Sequence, residues 1–130
     1  MKESDNQLWQ WQNLEVAWNL KGRNIESPIS IVLIHGFGAC KEHWRRNQPE
    51  LAKFSPCYAI DLIGFGDSSQ PKARLKRESP NQIGFTYTFD NWAQQVKDFC
   101  TEIVKTPVIL IGNSIGGVIA LRASQLLTEN

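Results

Sequence analysis

With 130 residues, 42% of them apolar and 21% charged, the chain has the composition of a globular protein with room for one core. The formal net charge of +1 gives no electrostatic reason to expect nucleic acid or an anionic membrane as partner. The start, Met1 to Asn6, is polar and lacks the apolar core of a secretory signal, and the most apolar stretch, Pro107 to Leu121, is too interrupted by Asn113, Ser114 and glycines to span a bilayer.

Apolar residues alternate from Leu8 to Leu20, which predicts two short antiparallel strands, Leu8 to Gln12 and Glu15 to Lys21, with a turn near Asn13. Ile29 to Ile34 is a continuous β-branched run, the pattern of a strand buried on both faces, and His35-Gly36-Phe37-Gly38 ends it. A short turn at Glu42 to Arg46 then leads into a helix entered through Asn47 or Gln48, with Pro49 in its first turn, where a missing N–H costs nothing. Cys57 to Leu62 is a second buried strand, ended by Gly64-Phe65-Gly66.

Asp67 to Tyr87 reads as a long linker whose basic residues, Lys72, Arg74, Lys76 and Arg77, belong to a solvated loop rather than a phosphate site, since Asp67 and Glu78 stand close by. Thr88 is placed to cap a helix from Phe89 to Val104, with Phe89, Trp92, Val96, Phe99 and Ile103 on one stripe. Val108 to Ile111 is a third buried strand, and Ile115 to Leu127 a last helix. Strands alternating with helices after an antiparallel start predict an α/β domain with a mainly parallel sheet. Cys40, Cys57 and Cys100, odd in number and without a Cys-x-x-Cys pair, predict reduced core thiols rather than disulfides or a zinc site, and no metal or other cofactor is expected.

Chemistry concentrates at Gly112-Asn113-Ser114-Ile115-Gly116, a serine between a strand and a helix, with small residues on both sides. In that context Gly-x-Ser-x-Gly is a nucleophile elbow, which holds the hydroxyl out above the end of a sheet. A serine needs a base to take its proton, and its tetrahedral intermediate needs two donors for the oxyanion. The Ile115 N–H, at the positive end of the last helix, is one candidate donor. The Phe37 N–H is the other, in a loop whose Gly36 and Gly38 let the backbone approach a substrate.

These motifs resemble the α/β-hydrolase superfamily over nearly the whole chain. Ile31 to Gly38 is similar to its oxyanion strand and loop, with Trp44 and Leu51 in its first helix. Ala59 to Ser68 is similar to its next strand and Asp-x-x-Gly-x-Gly-x-Ser loop, and Gly112 to Gly117 to its elbow. The resemblance implies Ser114 as nucleophile, Phe37 and Ile115 as oxyanion donors, and His35, Gly36, Gly38, Gly112 and Gly116 in support. Serine at the elbow, where haloalkane dehalogenases and epoxide hydrolases of the superfamily carry Asp, implies ester or related acyl hydrolysis through an acyl-enzyme. A narrower resemblance, carried by Tyr87 to Trp92, Asp98 to Cys100 and the elbow, is to plant and cyanobacterial members of the pheophytinase and chlorophyll dephytylase type. It implies a hydrophobic small-molecule ester as substrate and, in a plant or alga, a place in the plastid stroma, whereas the reduced thiols by themselves imply the cytoplasm.

In this family the acid and the base follow the nucleophile. Only 16 residues follow Ser114, without His or Asp, so residues 1–130 read as the N-terminal portion of one hydrolase domain with its triad incomplete. His35 belongs to the oxyanion loop under this reading, and His43 to the surface. Asp61 precedes the elbow and is expected to hold the Gly64 to Ser68 turn rather than act as triad acid. Two other readings remain: a non-catalytic or decayed protein on the same scaffold, and a dinucleotide-binding domain built on Gly36-x-Gly38 and Asp61, in which Lys41 stands where the third glycine should be.

Overall fold

A computed structural model of the protein describes residues 6–75 and 84–129. The two N-terminal strands, β1 (Asn6–Trp11) and β2 (Leu14–Lys21), form a hairpin. Gln12 and Asn13 turn it with φ of 49° and 64°, the paired positive values that match the twist of the flanking strands. The parallel strands are β3 (Ser30–Ile34), β4 (Cys57–Ile60) and β5 (Val108–Gly112), and the sheet order is β1-β2-β4-β3-β5. β2 meets β4 antiparallel, whereas β3 pairs parallel with β4 on one side and β5 on the other.

That order makes the chain step outward from β3 to β4 and then cross back over β3 to β5. Right-handed crossovers in opposite directions put the connecting helices on opposite faces. The core divides accordingly. Ile31 and Leu33 pack with Cys57 and Ala59 beneath the short helix α1 (Gln48–Leu51), together with Trp44 from the 3-10 turn Lys41–Trp44. Val32, Ile34, Tyr58 and Ile60 face the larger layer of α2 (Phe89–Phe99) and α3 (Ile115–Thr128). Phe99 is the hub of that layer, its ring 5.7 Å from Trp9, 5.7 Å from Trp18 and 5.8 Å from Tyr58. Trp9 and Trp11 donate their indole N–H groups to Glu102 and Asp98, which ties the hairpin to the same helix.

Three expectations need correction, whereas the helix predicted from Phe89 to Val104 spans those residues, α-helical to Phe99 and continued by a wider π-type turn over Cys100–Val104 that Lys105 ends at φ 65°. Thr88 does cap it, accepting the Asn91 N–H. The second parallel strand stops at Ile60: the Asp61 N–H still reaches the Ala17 carbonyl of β2, but the Leu62 N–H turns to the His35 ring instead of a strand carbonyl. β5 is not fully buried: Ile109 is 47% exposed, since β5 is the last strand on its side of the sheet and α1 is too short to reach it. The linker is partly ordered by pairing, with Arg74 and Phe85 bonded across it, while Lys76 and Arg77 lie outside the described residues.

Candidate active site

The carboxyl ends of β3 and β5 lie side by side, with Ile34 opposite Gly112 in the ladder and the Asn113 N–H donating to the Ile34 carbonyl. A ligand site is expected at such a place, where connections leave β3 in two directions. Ser114 stands there as the residue that caps α3, with φ 57° and ψ −123°. An L-residue rarely adopts this conformation, at roughly 1–3 kcal/mol. Its hydroxyl makes no capping bond to α3, and the side chain is open to solvent.

Crowding explains the flanking glycines. A Cβ on Gly112 would strike the backbone of Gly116 and Gly117, and one on Gly116 would strike the Ile34 and His35 carbonyls. The loop after β3 abuts the serine directly, because a Cβ on Gly36 would sit 3.2 Å from the Ser114 Cβ. In the first turn of α3, the Gly116 and Gly117 N–H groups bond to the Asn113 and Ser114 carbonyls. Ile115 is the first residue of that helix, so its N–H has no carbonyl a turn earlier in the helix. The Phe37 side chain is 75% exposed, its ring 5.5 Å from Phe65.

His35 is fully buried and engaged at both ring nitrogens: Nε2 accepts the Leu62 N–H at 3.0 Å, which leaves the proton on Nδ1 to donate to the Gly36 carbonyl at 2.8 Å. Burial pushes its pKa down, so the ring is neutral. His43 is exposed, stacked edge-on against Trp44.

Asp61 holds the turn that follows it, as expected, its carboxylate accepting the Asp67 N–H at 2.8 Å while its carbonyl accepts the Ser68 hydroxyl at 2.7 Å. Two participants escaped sequence reasoning. Lys41, fully buried, places its ammonium 2.9 Å from Asp61, 3.0 Å from Asp67 and 3.1 Å from Glu42. Burial alone would lower its pKa, but hydrogen bonds to Asp61 and Asp67 hold the group charged well above the usual lysine range. Gln95, also buried, accepts the Ile63 N–H and donates to the Asp61 carbonyl. The available signal was Asp61 itself, a carboxylate at the end of a buried strand, which needs a cation or several donors. With Asp61 so committed, it is not free to bind a ribose, and the loop after β3 leads into a 3-10 turn rather than a helix start.

A mixed sheet, antiparallel at β1-β2-β4 and parallel at β4-β3-β5, with helices on both faces and a strained, glycine-flanked serine at a strand-to-helix turn, is the arrangement of the α/β-hydrolase class. The alpha/beta hydrolase fold family matches residues 29–130, and the chain belongs to it. A 1-acylglycerol-3-phosphate O-acyltransferase, ABHD5 of Sus scrofa, is 33% identical over 104 residues, 79% of this chain and 28% of that protein. The chloroplastic pheophytinase of Arabidopsis thaliana is 27% identical over 117 residues, 75% of this chain and 24% of the pheophytinase. Among solved structures, a membrane phospholipase A described as a bacterial virulence factor superposes with a TM-score of 0.75 at 33% identity, over 95% of this chain and 36% of that one. The chain thus spans about a quarter of the length of the curated relatives it matches. Among the described residues, no helix is long and apolar enough to cross a membrane.

Proposed function

We propose that Ser114 is the nucleophile of an acyl-transfer reaction on a small hydrophobic ester, with water as the ordinary acceptor of the acyl group. The observation that carries this reading is the Ser114 backbone, held at φ 57° above the sheet edge with its hydroxyl unspent on capping. In the reaction Ser114 Oγ attacks the ester carbonyl carbon and gives up its proton to a base. The oxyanion that forms accepts hydrogen bonds from the Phe37 and Ile115 N–H groups, and collapse expels the alcohol and leaves an acyl-serine. Water then attacks the acyl-serine to release the acid and restore Ser114. Names of the relatives, an acyltransferase of acylglycerol phosphate, a phospholipase and a pheophytinase, support an ester of this kind.

Neither histidine serves as the base, since His35 has both ring nitrogens engaged and His43 lies on the surface beside Trp44. The acid and the base belong to later loops of the fold, which follow the nucleophile in chain order. This same observation favours the second reading for the 130 residues by themselves, a scaffold without turnover. Unpaired Cys40, Cys57 and Cys100 fit a reducing compartment, the cytoplasm or a plastid stroma. Hydrolysis of p-nitrophenyl esters by the 130-residue chain, by the longest product of its gene and by the Ser114→Ala variant of each tests both readings. The chain alone is expected at the level of its Ser114→Ala variant, and the longer product to lose roughly 1000-fold or more on Ser114→Ala. Robust Ser114-dependent turnover by the chain alone would show that a base is present in it.

A further inference from the structure

The loop that carries Phe37 has few bonds of its own. Within it the Ala39 N–H donates to the Gly36 carbonyl at 3.1 Å, and Gly38, at φ 75°, has open space where a side chain would be. Both ends, however, are fastened to consecutive residues of the loop after β4. On one side the His35 Nε2 takes the Leu62 N–H, and on the other Lys41 grips Asp61 twice, with its backbone N–H at 2.6 Å and its ammonium at 2.9 Å. Asp61 is itself immobilised, its N–H on the Ala17 carbonyl and its own carbonyl under Ser68 and Gln95. Between the two anchors run only Gly36 to Cys40.

We infer that the Lys41–Asp61 pair is a positioning device for the reaction: with His35 it forms a two-point clamp that sets where the Phe37 N–H stands relative to Ser114. The inference rests on the reading of Ser114 and Phe37 proposed above. Lys41 touches neither substrate nor reacting atoms; it acts through the loop. A fully buried ammonium bonded to the loop beneath it is a costly way to fill space, because each charge must be desolvated, and an apolar side chain would fill the same volume. Its geometric consequence is that five residues cannot drift by the ångström that weakens an oxyanion donor.

The test uses the longest product of the gene and compares wild type, Lys41→Met, Asp61→Asn, the double variant and Ser114→Ala. Active sites are counted with a p-nitrophenyl phosphonate, and kcat and KM for a p-nitrophenyl ester are expressed per titrated site. Each single variant is expected to lower kcat per site by roughly 10- to 100-fold with KM changed less than about threefold. The double variant should fall no further than the worse single one, because the pair acts as a unit. It also leaves no lone buried charge, so it keeps the test valid where a single variant fails to fold. Fewer titrated sites with wild-type kcat per site would mean that Lys41 serves stability alone, and the clamp would be overturned. Losses that multiply in the double variant would overturn it too. Turnover that survives Ser114→Ala defeats the reading of the site itself, a result distinguishable from failure of the clamp.

Discussion

Gly112 and Gly38 both flank the candidate site, yet alanine at the two positions should have unequal consequences for different physical reasons. At Gly112 the backbone is of a kind that any residue adopts, so the whole effect is steric: the new methyl overlaps the Gly116 carbonyl and lies against the Gly117 nitrogen. These are backbone atoms of the first turn of α3. The turn cannot retreat freely, because its Gly116 N–H is bonded to Asn113 and Gly116 itself lies against the Ile34 and His35 carbonyls. Overpacking costs roughly 1–3 kcal/mol where side chains can shift, so with backbone on the receiving side about 3 kcal/mol is expected. At Gly38 nothing lies within 4 Å of the added methyl, and only the φ of 75° is unfavourable, at about 1 kcal/mol. With a urea m-value of about 1.5 kcal/mol/M, the unfolding midpoint should fall by roughly 2 M for Gly112→Ala and about 0.7 M for Gly38→Ala. The chain's five tryptophans allow the measurement by fluorescence at sub-micromolar concentration, where association is least. Equal shifts, or a larger one for Gly38→Ala, would refute the packed-elbow geometry.

Three further outcomes rest on the strained serine, the buried thiols and the open edge of the sheet. Ser114→Gly should raise the unfolding free energy by about 1 kcal/mol and, in the longest product of the gene, abolish Ser114-dependent ester turnover, since glycine relieves the strain at φ 57° and removes the hydroxyl; an unchanged or lower midpoint would mean that the turn is not strained. Burial pushes the Cys57 and Cys100 thiols from 9.0 up to about 12, so the fold favours their neutral form and that stabilisation is intact below pH 9 and lost as pH rises toward 12. At pH 10.5 each should cost roughly 2 kcal/mol, read as a drop in the urea midpoint that Cys57→Ala makes smaller while buried Tyr58 and half-buried Tyr87 add their own share in both proteins; an equal drop in that variant counts against burial of Cys57 as a cause. β5 presents an open edge beside half-exposed Ile109, and the groove of about 740 Å³ between β5 and α3 is lined by Val108, Leu110, Ala120 and Leu121, so the chain should self-associate at micromolar concentration. Light scattering after size-exclusion should show this, with Ile109→Lys suppressing it; a monodisperse monomer with a sharp thermal transition would show that the edge is harmless.

The groups proposed to do chemistry and the groups that hold them were unequally legible in the sequence, and the reason is distance along the chain. Gly112 to Gly116 and His35 to Gly38 are contiguous, so their roles in a turn follow from local sterics: a residue between a β-branched run and a helix, hemmed by glycines, has few conformations available. The hairpin was readable for the same reason, since alternation from Leu8 to Leu20 and a turn at Asn13 involve neighbours only. Lys41 is a different case. As a residue it looks like surface, and what buries it are carboxylates 20 and 26 positions later, brought near by the pairing of β3 with β4. Gln95 likewise reads as one polar residue on a helix until its partners, Asp61 and Ile63, are placed beneath it. The change from α to π geometry after Phe99 is likewise not legible locally, since the widened Cys100–Val104 turn carries Glu102, whose partner is the Trp9 indole of the hairpin. A strained nucleophile needs a frame that overrules local preference, and such a frame has to be built from remote contacts. The part of the site that the sequence leaves unspoken is therefore the part on which the position of Phe37 depends.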